Sequence, residues 1–176
     1  PGTFSGPDTN STAFAFQALV AAGESPAHDV LDLLASWQQP DGGFEFLLGA
    51  GVDPNSTALV VQAIVAGGED PAAGRWVQPG GSAMSSLLAW QLGCDQAASD
   101  QGAFASPFSD GAPDLLATTQ AVWGASGQAF PFAGPVVFGP SPEPCQPSTT
   151  TTAPSSTTSA QQPDGTAVAA TPRYAG

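Results

Sequence analysis

The sequence predicts an all-α fold built from repeated pairs of inner and outer helices. Three observations support this prediction: a gapless internal repeat, apolar segments of helical length, and an amphipathic segment after each of the first two. DTNSTAFAFQALVAAGESP at residues 8–26 aligns with DPNSTALVVQAIVAGGEDP at residues 53–71, 45 residues later. A weaker third copy, DLLATTQAVWGA, begins at Asp114. Self-similarity at a fixed period is typical of helical repeat architectures.

Inner helices are expected near residues 11–22, 56–66 and 115–124. Each begins shortly after an aspartate, and in the first two copies Asn-Ser-Thr follows, so that side-chain oxygens can accept the first-turn N–H groups. The first two segments are apolar nearly all round, with Gln17 and Gln62 as isolated polar positions. Helices of this kind are buried, so we place them on the inside of the fold.

Outer helices are expected near residues 27–38 and 82–92. Both carry an apolar stripe at helical spacing, which indicates one buried face and one solvated face. Pro40 and the glycine pair Gly42 and Gly43 end the first of them. The stripe residues are Val30, Leu31, Leu33, Leu34 and Trp37 in the first helix and Met84, Leu87, Leu88 and Trp90 in the second.

Two regions follow from composition. Residues 1–138 form the helical domain, and residues 139–176 are expected to be a disordered stalk or linker rich in Pro, Thr, Ser and Ala, open to O-glycosylation. PSTTTTAPSSTTS at residues 147–159 cannot bury enough apolar surface to offset its ordering entropy. A second QQPDG, at residue 161, lies in this region and is interpreted as a coincidence. Because the chain opens on Pro1 and not on Met, we expect it to be part of a longer precursor.

Charge and cysteine content narrow the class of protein. Fifteen acidic side chains face only Arg75 and Arg173, and the formal net charge is −13. No basic surface is therefore available for nucleic acid or anionic lipid, and no apolar run reaches the roughly 18 residues of a membrane helix. An even pair of cysteines, Cys94 and Cys145, suits one disulfide in an oxidising compartment, with two unrelated thiols as the alternative. We expect an extracellular or cell-surface protein.

Five residues of the first outer loop carry a resemblance to a known family. Gln38, Asp41, Gly42, Gly43 and Phe44, in the order Gln-x-x-Asp-Gly-Gly-Phe, resemble the QW motif of the prenyltransferase and squalene-oxidase repeat, with Phe in place of Trp. This resemblance covers about residues 2–132. Gly2-Thr3-Phe4 is similar to the end of an earlier loop of this kind, and residues 90–104, from Trp90-Gln91 to Gly102-Ala103-Phe104, are similar to a second loop that contains an insertion.

The resemblance implies a partial α/α toroid. This superfamily includes terpene cyclases, protein prenyltransferase β-subunits, cobalamin carriers and complement-type thioester domains. A closed toroid has more helix pairs than the two or three seen here, so this segment alone would expose an open edge of inner helices. In this comparison the five motif residues are structural.

The family's catalytic groups do not match positions of this chain. The acid of the cyclases lies in an Asp-x-Asp-Asp motif, which is absent here; Asp29 and Asp32 are spaced differently. The zinc-binding His of the prenyltransferases corresponds to Ser11, Ser56 or Ala117. Gly93-Cys94-Asp95-Gln96 departs from the thioester motif, because the Gln is one residue too close to the Cys and the Glu is missing.

Other sites are equally poorly supported. His28, the only histidine, reads as a solvated first-turn residue beside Asp29. The glycosylation sequons at Asn10 and Asn55 are equally explained as helix caps. No calcium-loop ladder is present. We therefore expect neither a cofactor nor a metal in this segment.

Two functional classes remain. The first is a non-catalytic, exported toroid domain that binds a small molecule or protein. The second is a fragment of an isoprenoid-handling enzyme, related to terpene cyclases or prenyltransferases, whose catalytic repeats lie upstream. In either case we expect the ligand at one rim of the inner helices, where their first turns gather. The candidate ligand-binding residues are Asp8, Asn10, Phe14, Phe16, Asp53, Asn55 and Asp114.

Overall fold

The computed structural model describes residues 8–25 and 29–131, and these residues are mostly helical, which confirms the all-α prediction. The described residues all belong to the first of the two units into which the chain divides, Pro1–Gln146. Five α-helices lie within them: α1 (Thr9–Ala21), α2 (Asp29–Ser36), α3 (Pro54–Ala66), α4 (Ala83–Leu88) and α5 (Leu115–Ala125). Within this part of the chain, no helix combines the length and the apolar character needed to cross a bilayer.

The helices form two layers. Helix α3 packs between α1 and α5, and these three form the inner layer. Helix α2 contacts α1 and α3, whereas α4 contacts α3 and α5, so the two shorter helices form the outer layer. Because α3 lies in the centre of this arrangement, ten of its thirteen residues are buried.

The core lies between the two layers. Its largest fully buried side chains come from both layers and from the loops that connect them. The rings of Phe44 and Trp76 lie 6.4 Å apart, centroid to centroid. The other large members are Phe104, Leu31, Leu34, Ile64 and Leu87.

A short hairpin, which the apolar pattern did not indicate, precedes α4. A 3-10 turn at Gly74–Trp76 leads into β1 (Val77–Gln78), which pairs antiparallel with β2 (Gly81–Ser82). The intervening Pro79-Gly80 pair, followed by Gly81, is a turn signal that could have revealed it. The hairpin lies against the motif loop, since the amide of Gly80 donates to the carbonyl of Pro40 at 2.8 Å.

One predicted helix end was wrong. The second outer helix was expected to reach residue 92, but α4 ends at Leu88. The chain after it turns to pair with residues 103–105: the amide of Ala105 donates to Trp90 at 2.9 Å, and that of Leu92 donates to Ala103 at 2.8 Å. Backbone groups bonded across to another segment cannot continue a helix, so the apolar stripe overstated its length.

An ion cluster fixes the 3-10 turn on the outer layer. Arg75 pairs with Asp32 of α2 and with Glu69, and its guanidinium carbon lies 5.0 Å from the centre of the Trp76 ring. The indole N–H of Trp76 donates to Glu69 at 2.7 Å. Burial alone would raise the pKa of Glu69, but the hydrogen bonds from Arg75 and Trp76 outweigh it and lower that pKa.

Candidate functional site

The three predicted rim aspartates are the N-caps of the inner helices. A carboxylate oxygen of Asp8 accepts the Ser11 amide at 2.7 Å, and one of Asp53 accepts the Ser56 amide at 2.8 Å. Asp114 accepts the amide of the third residue of α5 at 3.0 Å in the same way. Each carboxylate therefore satisfies a first-turn N–H group that would otherwise lack a partner.

The starts of the inner helices lie at one end of the layer. The amide of Thr9, at the start of α1, donates to Phe46, and the amide of Asp53, before α3, donates to Phe44, each at 3.2 Å. One short segment thus contacts both helix starts. We call this end of the layer, with Asp8, Asp53 and Asp114, the rim.

Helices α3 and α5 are parallel. Asn55 donates to Gln120 at 3.0 Å, and a Cβ on Gly124 would lie 2.9 Å from the carbonyl oxygen of Ala58. From the first contact to the second, the chain advances by three residues in α3 and by four residues in α5, so the two helices run in the same direction. The cap of α5 therefore lies at the same end of the layer as the caps of α1 and α3.

Asp114 also binds a side chain from outside its own helix. Its second carboxylate oxygen accepts the hydroxyl of Ser106 at 2.6 Å. This hydrogen bond, followed by the one from the Ala117 amide, lowers the pKa of Asp114. An ionised carboxylate that accepts two hydrogen bonds is a poor proton donor near neutral pH, so the geometry suits a structural cap.

The two predicted rim asparagines differ. Asn55 joins α3 to α5 through Gln120. Asn10, the equivalent residue of α1, has a buried side-chain oxygen with no hydrogen-bond partner. The α3 position that matches Gln120 is Leu59, whose side chain cannot accept a hydrogen bond as Gln120 does from Asn55, so Asn10 lacks this interhelical bond.

The structure does not bring Phe14 and Phe16 together. Residues two apart lie about 200° apart around a helix. Phe16 is buried against Gly67 of the next repeat, whereas Phe14 is 44% exposed and its ring lies 6.2 Å from that of Phe130. Phe16 thus belongs to the core and Phe14 lies at the surface, and a ligand contact of either residue stays a prediction.

The five motif residues shape one tight loop. Gln38 donates from its side-chain amide to the carbonyls of Gly42 and Trp76, both at 2.9 Å. Asp41 accepts the amide of Gly43 at 2.9 Å. Gly42 has φ +89°, and a Cβ there would lie 2.5 Å from the carbonyl oxygen of Ser82, so only glycine fits.

The second loop of the same kind repeats this geometry. Gln91 donates from its side chain to the carbonyl of Gly102 at 3.2 Å, as Gln38 does to Gly42. In both loops a buried Phe follows two residues after that glycine. The loops at residues 38–44 and 91–104 are therefore equivalent in structure as well as in sequence.

Large apolar side chains that were not among the predicted site residues lie exposed near the rim. Leu48 is 86% exposed, Phe108 88% and Leu115 81%. Leu48 lines a pocket of about 200 Å³ beside Thr9 at the start of α1. Phe108 donates its amide to the Ser106 hydroxyl that binds Asp114. The sequence signal for these exposed residues was their position: each is a large apolar residue in a loop or in a first helical turn, outside the apolar stripes that form the core.

Several of the remaining predicted positions lie outside the described residues. Cys94 is disulfide-bonded; its predicted partner Cys145 lies outside the described residues, so the pairing stays a prediction. His28 and Gly2-Thr3-Phe4 also lie outside them. Among residues 8–25 and 29–131, no group of three His, Cys, Asp or Glu side chains is arranged to hold a metal ion.

Comparisons with known proteins found no match to this chain among protein-family models, curated proteins or solved structures.

Proposed function

We propose that these helices are a non-catalytic binding segment of an exported or cell-surface α/α toroid, and that the rim contacts an apolar ligand or partner surface. The observation that carries the proposal is the set of exposed apolar side chains at the rim, Leu48, Phe108 and Leu115. Apolar groups concentrated at one end of a fold are typical of interaction sites.

The toroid part of the proposal is supported by the repeated geometry. Two layers of helices, an inner layer whose helices start at one end, and two Gln-Gly-Phe loops of equivalent structure are the features that the QW-motif resemblance implies. Export is supported by the disulfide at Cys94, because disulfides persist mainly in oxidising compartments.

The non-catalytic part is supported by the hydrogen bonds of the candidate acids. Asp8, Asp53 and Asp114 each accept an amide of their own helix. To act as a general acid, one of these carboxyls would first have to be protonated, which would weaken the cap that it makes, at a cost of about 1 kcal/mol. The enzyme alternative therefore requires acids or a metal site elsewhere in the polypeptide.

The test of rim binding uses Nile red as an apolar probe and two sets of variants. In the rim variant, Leu48, Phe108 and Leu115 are all changed to Ser; in the control, Leu33, Val77 and Leu88 are changed to Ser. The control residues are also exposed, at 40%, 51% and 42%, but lie on the outer layer and hairpin. We expect probe fluorescence to fall in the rim variant and to persist in the control. Equal fluorescence of both variants would contradict the rim assignment.

Catalysis is tested separately on the unmodified protein. Squalene, farnesyl diphosphate and a corrinoid are incubated with it, and both binding and product formation are followed. We expect no turnover of any of the three compounds. Turnover of an isoprenoid that disappears in Asp53→Asn would overturn the non-catalytic proposal and establish the enzyme alternative.

A further inference from the structure

Three aspartates of this chain are followed directly by glycine: Asp41, Asp110 and Asp164. At such a pair the glycine nitrogen can attack the aspartate side chain and close a five-membered succinimide ring, because no Cβ shields that nitrogen. Asp164 lies outside the described residues. The other two pairs have contrasting surroundings, and the contrast determines which of them can react.

Asp110 and Gly111 are the two central residues of an exposed turn. The amide of Ala112 donates to the carbonyl of Ser109 at 2.8 Å, which closes the turn. Asp110 has φ +50° and Gly111 has φ +80°, and positive values at both central positions are typical of a type I′ turn. Asp110 is the only non-glycine residue with a positive φ in the part of the chain that the structure describes.

The positive φ of Asp110 is half of the backbone geometry that ring closure requires. In the succinimide ring the glycine nitrogen eclipses Cβ, which for an L residue places ψ near that of the first central residue of a type II′ turn, about −120°. That position also has a φ of about +60°. A flip of the peptide between Asp110 and Gly111 therefore reaches the reactive geometry while the φ of Asp110 is kept.

The surroundings of Gly111 leave room for this flip. Both Asp110 and Gly111 are exposed, and a Cβ on Gly111 would meet nothing within 4 Å. Glycine adopts either sign of φ, so Gly111 can follow the flip. Within residues 8–25 and 29–131 the Gly111 amide donates no hydrogen bond. Its nitrogen is therefore available to the Asp110 side chain.

Asp41 lacks this geometry. Its φ is not positive, and a negative φ combined with a ψ of about −120° lies outside the main allowed regions. The Gly42 amide already donates to the carbonyl of Gln39 at 2.9 Å, and Gly42 is buried. The Asp41 carboxylate accepts the Gly43 amide at 2.9 Å. The motif loop therefore holds the same dipeptide in an unreactive form.

From this contrast we propose that Asp110 is a site of spontaneous isomerisation to isoaspartate. The Gly111 nitrogen attacks Cγ of the protonated Asp110 carboxyl, a C–N bond forms, and the C–OH bond breaks. The hydroxyl leaves as water with the amide hydrogen. Water then attacks either carbonyl of the ring: attack at Cγ restores aspartate, whereas attack at the main-chain carbonyl gives isoaspartate. Water is the only co-reactant.

Isoaspartate lengthens the backbone of the loop at residues 106–112 by one carbon. The Ser109 hydroxyl donates to the carbonyl of Ala112 at 2.7 Å and accepts the amide of Ser106 at 2.9 Å. The Ser106 hydroxyl in turn donates to Asp114 at 2.6 Å. The added carbon therefore disturbs the contacts that support this cap. The same loop carries Phe108, so an effect on rim binding follows as well; that effect alone rests on the proposed function.

The test is prolonged incubation of the full chain below its melting temperature, followed by digestion and fragmentation mass spectrometry that locates isoaspartate. We expect isoaspartate at Asp110 to form at least about ten times faster than at Asp41, a ratio that corresponds to about 1.4 kcal/mol of activation free energy. In guanidinium chloride both turns are lost, and the two rates should approach one another. Equal rates in the folded protein, or the same ratio in folded and unfolded protein, would overturn the proposal.

A pair of variants tests the attacking nitrogen. Gly111→Ala places a methyl group beside it, so isoaspartate at Asp110 should fall to the level seen at Asp41. Gly49→Ala is the matched control, because Gly49 also has a positive φ and open space at its Cβ position, and it should leave the rate at Asp110 unchanged. Melting temperatures show that both variants fold. An unchanged rate in Gly111→Ala, or an equal decrease in both variants, would contradict the proposal.

Discussion

The hydroxyl oxygen of Thr57 lies 3.0 Å from the amide nitrogen of Phe44, and the Thr118 hydroxyl lies 2.9 Å from the amide of Phe104. In each case the threonine is the fourth residue after the cap aspartate of an inner helix, and the Phe closes the preceding motif loop. One hydroxyl therefore joins a loop to the first turn of the next inner helix. The Thr57 hydroxyl in turn donates to the carbonyl of Asp53 at 2.7 Å.

The first prediction concerns this hydroxyl. Thr57→Val keeps the shape of the side chain but leaves the buried Phe44 amide without an acceptor. We expect the free energy of unfolding to fall by about 1–3 kcal/mol, the usual cost of a buried unsatisfied group. Thr57→Ser keeps the hydroxyl and should lose less. Urea denaturation of both variants measures the difference, and a loss in Thr57→Ser as large as that in Thr57→Val would show that the methyl group contributes as much as the hydrogen bond, contrary to this prediction.

The second prediction concerns Phe44. Its side chain is fully buried, so Phe44→Ala should destabilise the fold by about 3–5 kcal/mol through lost apolar contact and a residual cavity. Phe108 is 88% exposed, and Phe108→Ala should change stability by no more than about 0.5 kcal/mol. Thermal unfolding compares the two. A neutral Phe44→Ala would contradict its place in the core.

The third prediction separates backbone strain from steric overlap. Gly42 and Gly49 have φ values of +89° and +86°, but a Cβ on Gly42 would lie 2.5 Å from the Ser82 carbonyl oxygen, whereas one on Gly49 would meet nothing within 4 Å. Gly49→Ala should therefore cost only the strain, about 1–2 kcal/mol. Gly42→Ala should cost about 2–5 kcal/mol, because the overlap adds to the strain. Denaturant titration distinguishes them, and similar values would show that the Gly80–Ser82 segment yields easily.

The fourth prediction concerns pH. The folded pKa of Asp114 is lowered below its ordinary value of 3.8, first by the Ser106 hydroxyl and then by the Ala117 amide. A lowered carboxyl pKa means that the ionised cap stabilises the fold above the ordinary value. This stability is lost as the pH falls through the folded pKa.

The measurement is an NMR titration of the Asp114 carboxyl, alongside urea unfolding between neutral and acidic pH. Ser106→Ala removes the largest cause of the shift, so the pKa should rise toward 3.8, and the fold should lose less stability on acidification. An unchanged titration in this variant would show that the backbone amides alone set the pKa.

The fifth prediction concerns the disulfide of Cys94. Pairing with Cys145 would close a loop of about 50 residues, which the chain-entropy treatment values at roughly 4 kcal/mol. Reduction should lower the melting temperature of the protein accordingly. Mass spectrometry of non-reduced peptides identifies the partner, and two free thiols in exported material would exclude the bridge.

The repeat allowed the helices and their caps to be predicted closely. Asp8, Asp53 and Asp114 each lie one residue before a helix, because a cap needs only local chemistry. The hairpin at residues 77–82 and the early end of α4 depend on contacts with distant segments, and the apolar pattern of a short stretch of sequence does not reveal such contacts. The predicted apolar stripe of α4 continued to Trp90, but the backbone carbonyl of Trp90 accepts the amide of Ala105 and is no longer part of the helix.

The candidate site was less predictable for a related reason. Phe14 and Phe16 are both aromatic, but they lie on opposite sides of α1, and only the packing of the folded chain around α1 determines which one is buried. Conversely, Leu48 and Leu115 are apolar residues that the core does not use, and exposure cannot be determined before the fold is known. The sequence therefore predicted the polar part of the rim and missed its apolar part.

The Gln-to-Gly contact that closes both motif loops has a practical consequence. Gln38 and Gly42 are separated by three residues, whereas Gln91 and Gly102 are separated by ten, and the side-chain contact is kept. Lengthening a flexible loop by this ratio costs only about 1 kcal/mol of closure entropy. The exposed stretch at residues 95–99, which leaves the disulfide-bonded Cys94 in place, is thus a position where a foreign peptide, such as an epitope or a protease site, can be inserted at a small cost in stability.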